Sequence, residues 1–140
     1  LPYCVHTFKS LKALGSIMTG SAYPGLWDLH YDAHDESLHS MAEAYTRIYI
    51  NTCLENKVNV LLNIVNNGKC DGIVYHLNRS CKLMSFLNVE TAEIIKEKTG
   101  LPYVSFDGDQ TDPRNFAPAQ FDTRVQALAE MMEANLAAAE

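Results

Sequence analysis

Cys81 stands between Arg79 and Lys82 in the run His76-Leu77-Asn78-Arg79-Ser80-Cys81-Lys82. Neighbouring cations favour the thiolate, the form of cysteine that attacks electrophiles and binds metals. The run reads either as a reactive or ligating thiolate or as a loop cysteine whose basic neighbours are simply solvated. As a nucleophile Cys81 needs a positioned base, and His76 is the nearest in sequence. As an iron ligand it needs further cysteines. Cys4, Cys53 and Cys70 are widely and irregularly spaced with no C-x-x-C pair, and they read as reduced thiols that pack or lie idle. A second polar run, from Asp107 through Asp109 and Asp112 to Arg114 and Asn115, holds three carboxylates. Oxygen ligands of this kind suit a hard cation, but the rest of a calcium loop is missing, so turn formation and capping are the expected roles. His30 and His34 are four apart, as zinc ligands on a helix are. His39 falls about 100° further round and Asp35-Glu36-Ser37 reads as a helix start between them, which disfavours zinc. Trp27 and the tyrosines read as core or interface aromatics.

The elements that position these runs follow from periodicity. Leu38, Met41, Tyr45, Ile48, Tyr49 and Thr52 recur at helical spacing and predict a helix from about Glu36 to about Leu54. Val58, Leu61, Leu62 and Val65 make a second stripe, stopped at Asn66-Asn67-Gly68 by residues that tolerate a left-handed cap. Gly72 to Leu77 is apolar, β-branched and aromatic, and predicts a strand. A helix is expected from Asn88, as its N-cap, to Lys98, then a strand over Tyr103-Val104-Ser105-Phe106. A last helix starts near Pro118 with Phe121, Val125, Leu128 and Met132 on its apolar face. Nearer the amino end, Phe8, Leu11 and Leu14 suit a helix ending at Gly15. Ser16 to Thr19 suits a strand and Tyr23-Pro24-Gly25 a turn. Strands separated by helices form parallel βαβ units, so the fold expected is α/β: a Rossmann- or flavodoxin-like open parallel sheet flanked by helices. Both polar runs then lie beyond the carboxyl ends of strands, where such sheets collect ligands.

The chain has 140 residues, 47% of them hydrophobic and 20% charged, and a formal charge of -6. That balance is globular, and its sign argues against a nucleic-acid surface, which needs a basic face. No apolar run approaches the roughly 20 residues of a membrane span, and no leader signals secretion, so a cytoplasmic protein is expected. The chain begins Leu1-Pro2-Tyr3, so it is expected to be a fragment of a longer polypeptide.

Taken together, Asn78-Arg79-Ser80-Cys81-Lys82, Gly100-Leu101-Pro102-Tyr103, Asp107-Gly108-Asp109-Gln110 and Asp112-Pro113-Arg114 carry a family resemblance. Ala119-Gln120-Phe121, Thr123-Arg124, Met18-Thr19-Gly20-Ser21 and Tyr23-Pro24 extend it over nearly the whole chain. The sequence resembles the carboxyl-terminal domain of a 2-hydroxyacyl-CoA dehydratase subunit of the α type, the group of the 2-hydroxyisocaproyl-CoA and 2-hydroxyglutaryl-CoA enzymes. The resemblance implies that residues 1–140 are the carboxyl-terminal α/β domain of a longer subunit. A [4Fe-4S] cluster would lie between its two similar domains, held by two cysteines from the amino-terminal domain and one from the carboxyl-terminal domain. Cys81 matches that last ligand, and Arg79, Ser80 and Lys82 then surround it and tune its potential. The implied reaction removes water from an (R)-2-hydroxyacyl-CoA to give a 2-enoyl-CoA. Because the β-proton is not acidic, it is implied to proceed through a ketyl radical made by one electron from a separate ATP-hydrolysing iron–sulfur activator. The implied partners are a β-type subunit, that activator and the acyl-CoA, with no nucleic acid and no membrane. The acidic charge suggests that the CoA phosphates are held mainly elsewhere. An alternative of a different class is an electron-transfer or cluster-scaffold subunit of a benzoyl-CoA-reductase-like complex. A plain interaction domain with a free Cys81 is a third.

Overall fold

The computed structural model describes residues 4–31, 34 and 37–139. Contacts divide the chain into two compact units, one formed by Leu1–Met18 with Cys70–Glu140, the other by Thr19–Lys69.

The first unit is a βαβ motif clasped by two further helices. Strand β1 (Ile73–Asn78) leads through helix α4 (Lys82–Thr99) to strand β2 (Tyr103–Gly108), and the strands pair in parallel from Ile73 opposite Tyr103 to Asn78 opposite Gly108. Helix α1 (Cys4–Ala13) and helix α5 (Pro118–Ala139) complete the unit. Phe106, Phe121 and Val125 are its buried centre, with Leu11, Leu14, Val74 and Phe116 packed on them. The rings of Phe106 and Phe121 meet edge to face at 4.9 Å, the favoured geometry for aromatic quadrupoles. A polar clasp joins α1 to α5: Asp122 accepts from the Ser10 hydroxyl at 2.6 Å and lies 2.9 Å from the His6 ring. These bonds, Ser10 first, hold the Asp122 carboxyl below its ordinary range. The open α/β arrangement expected from the alternation of strands and helices is present.

Glycine ends α1 and α4. Gly15 and Gly100 both have φ +71, a conformation that costs a residue with a Cβ. At Gly15 the cap is a Schellman motif, with Ser16 N donating to Leu11 O at 3.1 Å and Gly15 N to Lys12 O at 3.0 Å. The chain beyond it, expected as a strand over Ser16 to Thr19, is irregular. Ile17 is 84% exposed there, so no partner strand draws it into a ladder.

The second unit is helical: α2 (Leu38–Arg47), a single 3-10 turn (Tyr49–Asn51) and α3 (Leu54–Gly68), after a 3-10 turn at Pro24–Trp27. The single helix expected from about Glu36 to Leu54 is thus broken. Its start at Asp35 and Glu36 lies outside the described residues, and Ser37 caps α2 by accepting from Ser40 N at 3.2 Å. The break comes at β-branched Ile48, which is extended (φ -67, ψ 147). The carbonyls freed are taken by side chains, Asn51 donating to Tyr45 O at 2.8 Å and Thr52 to Tyr49 O at 3.1 Å. Ala44, Ile48, Tyr49, Val58 and Val65 are buried. So is Lys57, whose ammonium donates to Ile50 O at 3.1 Å and stands 5.6 Å from the centre of the Tyr49 ring. Helix α3 runs through Gly68, and the left-handed residue expected there is Lys69 instead, at φ 47. Of the aromatics expected in the core or at an interface, Tyr49 and Tyr75 are in the core, and Trp27, at 62% exposure, is not. Among the described residues no helix is long and apolar enough to cross a membrane.

Candidate functional site

Both polar runs leave the carboxyl ends of paired strands, so the parallel register places them side by side. Leu77 faces Asp107 and Asn78 faces Gly108 in the ladder. The ladder continues one bond further, Arg79 N donating to Gly108 O at 2.8 Å. Side chains then lace the runs together. Arg79 Nε lies 3.0 Å from Asp107 Oδ1, and the Ser80 hydroxyl donates to Asp109 Oδ2. The charge of Arg79 is therefore paired with a carboxylate, while Lys82 is exposed.

Cys81 is the N-cap residue of α4. Its backbone N–H donates to Asn78 O at 3.0 Å, closing a tight turn, and its carbonyl accepts the first helical bond from Ser85 at 3.0 Å. The side chain is half-buried, is not in a disulfide, and no side chain caps the helix. By helix geometry the N–H groups of the first turn beyond it have no intrahelical acceptor, and they favour an anionic group at this end. Helix α4 starts six residues before Asn88, the expected cap. Two side chains of α4 explain the shift by bonding strand β1: Ser85 donates to Asn78 O at 2.6 Å and Asn88 to His76 O at 3.0 Å. The amide at Asn88 thus satisfies a strand carbonyl rather than the head of its own helix.

Asp109 is 2% exposed. Its Oδ1 accepts from Thr111 N at 2.8 Å, Thr111 Oγ1 at 2.9 Å and Asp112 N at 3.1 Å, while Oδ2 takes the Ser80 hydroxyl. These donors, Ser80 first, hold its carboxyl well below the usual carboxylate range. Asp112 caps the turn Pro113–Asn115 by accepting from Arg114 N at 3.0 Å, and binds the Arg114 guanidinium at 2.7 Å. The turn and capping roles expected of Asp109 and Asp112 are observed. His76 stacks on Phe106 with ring centres 5.0 Å apart, and its ring bonds to the backbone of Gly108. Burial pushes its pKa down against the pull of Gly108, Asp109 and Asp107. Cys53 is exposed and Cys70 half-buried, while the side chain of Cys4 lies outside the described residues. His30 sits on the surface 3.0 Å from Asp28. Among the described residues no three His, Cys, Asp or Glu side chains group so as to hold a metal ion.

The burial of Asp109 and its tie to Ser80, 29 residues away, were not anticipated from the sequence. The Asp-x-Thr-Asp spacing signals the turn, but only the strand register brings Ser80 to the other oxygen. An open groove of about 550 Å³ in the same unit is lined by Lys96, Tyr103, Ser105, Arg124, Met131 and Asn135 among others. It flanks the first half of β2, away from the strand ends where Cys81 lies, and is not taken as the site.

Sequence comparison identifies the family. A family model for the 2-hydroxyglutaryl-CoA dehydratase D-component matches residues 6–132. The chain is 82% identical over 139 residues to the lactoyl-CoA dehydratase subunit alpha of Anaerotignum propionicum, covering 99% of this chain and 33% of that protein. It is 48% identical over 132 residues to the (R)-2-hydroxyisocaproyl-CoA dehydratase alpha subunit of Clostridioides difficile, covering 94% and 32%. Identity is 41% over 133 residues to the (R)-phenyllactyl-CoA dehydratase alpha subunit of Clostridium sporogenes, covering 95% and 32%. The chain thus spans about a third of the length of the curated relatives it matches. On a match that runs through both polar loops and nearly the whole sequence, the chain belongs to the 2-hydroxyglutaryl-CoA dehydratase D-component family, among relatives that are α-subunits of 2-hydroxyacyl-CoA dehydratases.

Proposed function

We propose that this chain is the carboxyl-terminal α/β domain of the α-type subunit of a 2-hydroxyacyl-CoA dehydratase, and that Cys81 supplies one ligand to a [4Fe-4S] cluster. The observation that carries the reading is the 82% identity over 139 residues, a span that includes the Cys81 loop. The donor set at the loop fits a cluster completed from elsewhere. Cys81 is a half-buried thiol at a helix N-terminus, the first-turn N–H groups are available to thiolate and sulfide sulfurs, and a cage completed from outside this chain accords with the described residues, among which no three metal-ligating side chains group together. When bound, the cluster supplies Lewis acidity and one-electron chemistry, which a reaction with no acidic β-proton requires and protein side chains lack.

This chain's own residues hold and orient. The turn from Asn78 to Cys81 aims the thiol, Arg79 is tied back to Asp107 so that, among the described residues, the cation left unpaired by this turn is the exposed Lys82, and the Asp107–Asp112 loop buttresses the turn. Overall the 2-hydroxyl group and a C3 proton leave the acyl-CoA as water and the 2-enoyl-CoA remains; one electron from the activator makes the ketyl radical and is given back as the product forms, so the sum is redox-neutral. The relative with 82% identity is named for lactoyl-CoA, which makes a three-carbon acyl group the first substrate to try, with acryloyl-CoA as the expected product. A β-type subunit and an ATP-dependent iron–sulfur activator complete the system. The test is an anaerobic assay of the full-length subunit with its partner, activator and ATP, following formation of the enoyl-CoA. Dehydration of lactoyl-CoA supports the reading. Cluster binding and electron uptake with no dehydration of any 2-hydroxyacyl-CoA would favour the electron-transfer scaffold instead.

A further inference from the structure

We infer that Asp109 is a positioning residue for Cys81, acting through the Ser80 hydroxyl; the inference rests on the reading of Cys81 as a cluster ligand. The two oxygens of Asp109 do different things. Oδ1 is given to three donors of its own turn, at Thr111 N, Thr111 Oγ1 and Asp112 N. Oδ2 leaves that turn and receives the hydroxyl of Ser80, on the other strand-end loop. Ser80 is the residue immediately before Cys81 and is itself exposed, so water competes for its hydroxyl. What holds it is a carboxylate that is 2% exposed and locked by its own turn. The backbone on either side of Ser80 is already tied, at Arg79 N to Gly108 O and at Cys81 N to Asn78 O. Ser80 N also donates to Asn78 Oδ1 at 3.3 Å, and the Ser80–Asp109 bond adds to these local ties a side-chain anchor on the opposite loop, which holds the direction in which the Cys81 side chain leaves the backbone. Groups that orient a metal ligand from behind in this way are commonly worth 10–100-fold in metal affinity.

A purely structural role, in which Asp109 only closes the turn at Asp107–Asp112, makes a different prediction. Ser80→Ala removes the bond to Oδ2 and leaves all three bonds to Oδ1. Asp109→Asn leaves an acceptor for the turn and presents an amide N–H to the Ser80 oxygen, restoring the bridge with reversed polarity. The experiment uses the full-length subunit in complex with its partner, prepared anaerobically as wild type, Ser80→Ala, Asp109→Ala, Asp109→Asn and Cys81→Ser. Three properties are read: iron retained against a chelator, the midpoint potential and EPR signature of the cluster, and the alkylation rate of Cys81 in iron-stripped protein. The expected result is that Ser80→Ala and Asp109→Ala each weaken iron retention, roughly 10–100-fold, with a changed EPR signature and faster alkylation, while Asp109→Asn recovers most of the loss. A Ser80→Ala/Asp109→Ala double variant should be no worse than Asp109→Ala alone, which already breaks the bridge together with the turn bonds to Oδ1. Ser80→Ala matching wild type in all three readouts overturns the inference, whatever Asp109→Ala does. Iron kept by Cys81→Ser would instead strike at the cluster reading, and the alkylation rates still decide whether the bridge holds Cys81.

Discussion

Asp109, just beyond β2, and His76, within β1, respond to acid in the same direction for different reasons. Hydrogen bonds, led by that from Ser80, lower the Asp109 pKa, while burial lowers that of His76. Each group binds its proton more weakly folded than unfolded, so each contributes stability at neutral pH that is lost on acidification. For His76 that contribution is complete above about 6.5 and lost as pH falls through its lowered value; for Asp109 it is complete above about 3.9 and lost below. Thermal midpoints of the full-length subunit should therefore decline from pH 7 to pH 5, and His76→Gln should flatten that decline, as melting curves at the two pH values will show. The place of Cys81 just beyond a strand end was legible in the sequence because the strand and the polar run after it are local. The partner of Ser80 was not, because hydrogen bonding to a residue 29 positions away depends on strand register rather than on any local pattern.

At the scale of elements, the apolar stripes located the helices and strands well and their ends poorly. Pro118 opens α5 as expected, and Phe121, Val125 and Leu128 of the expected stripe are buried. Phe121, 1% exposed and against Phe106, Phe116 and Val125, is a large, fully buried packing anchor of its unit. Phe121→Ala should destabilise by about 3–5 kcal/mol through lost burial and the cavity left behind, read from denaturant unfolding. The misplaced ends share a cause. Asn88 and Ile48 have local preferences that tertiary bonds and packing override. At the end of α3 the left-handed residue is Lys69, one position past the Asn66-Asn67-Gly68 run expected to supply it. A lysine at φ 47 carries the steric cost of a Cβ in that region, so Lys69→Gly should raise stability by about 0.5–1 kcal/mol, measured the same way. A loss of stability there would mean that the Lys69 side chain makes bonds worth more than the strain.

For the molecule as a whole, the α/β class was readable from the alternation of strand and helix, and the family from motifs that lie at the strand ends. The relatives are about three times as long, and the acidic chain of net charge -6 presents one thiol at the strand ends and, among its described residues, no complete metal-ligand group. On the proposed reading this domain supplies one cluster ligand and its support, and the rest of the cage and most of the CoA contacts come from other parts of the assembly. The isolated 140-residue chain, reconstituted with iron and sulfide, should then retain no stoichiometric cluster after gel filtration. The most direct measurement is iron and acid-labile sulfide in the anaerobically purified full-length subunit, wild type against Cys81→Ser. About four irons per subunit in the wild type, and loss of most of them in Cys81→Ser with the fold intact by circular dichroism, is the predicted result; a variant that keeps its full iron and sulfide would contradict the assignment of Cys81.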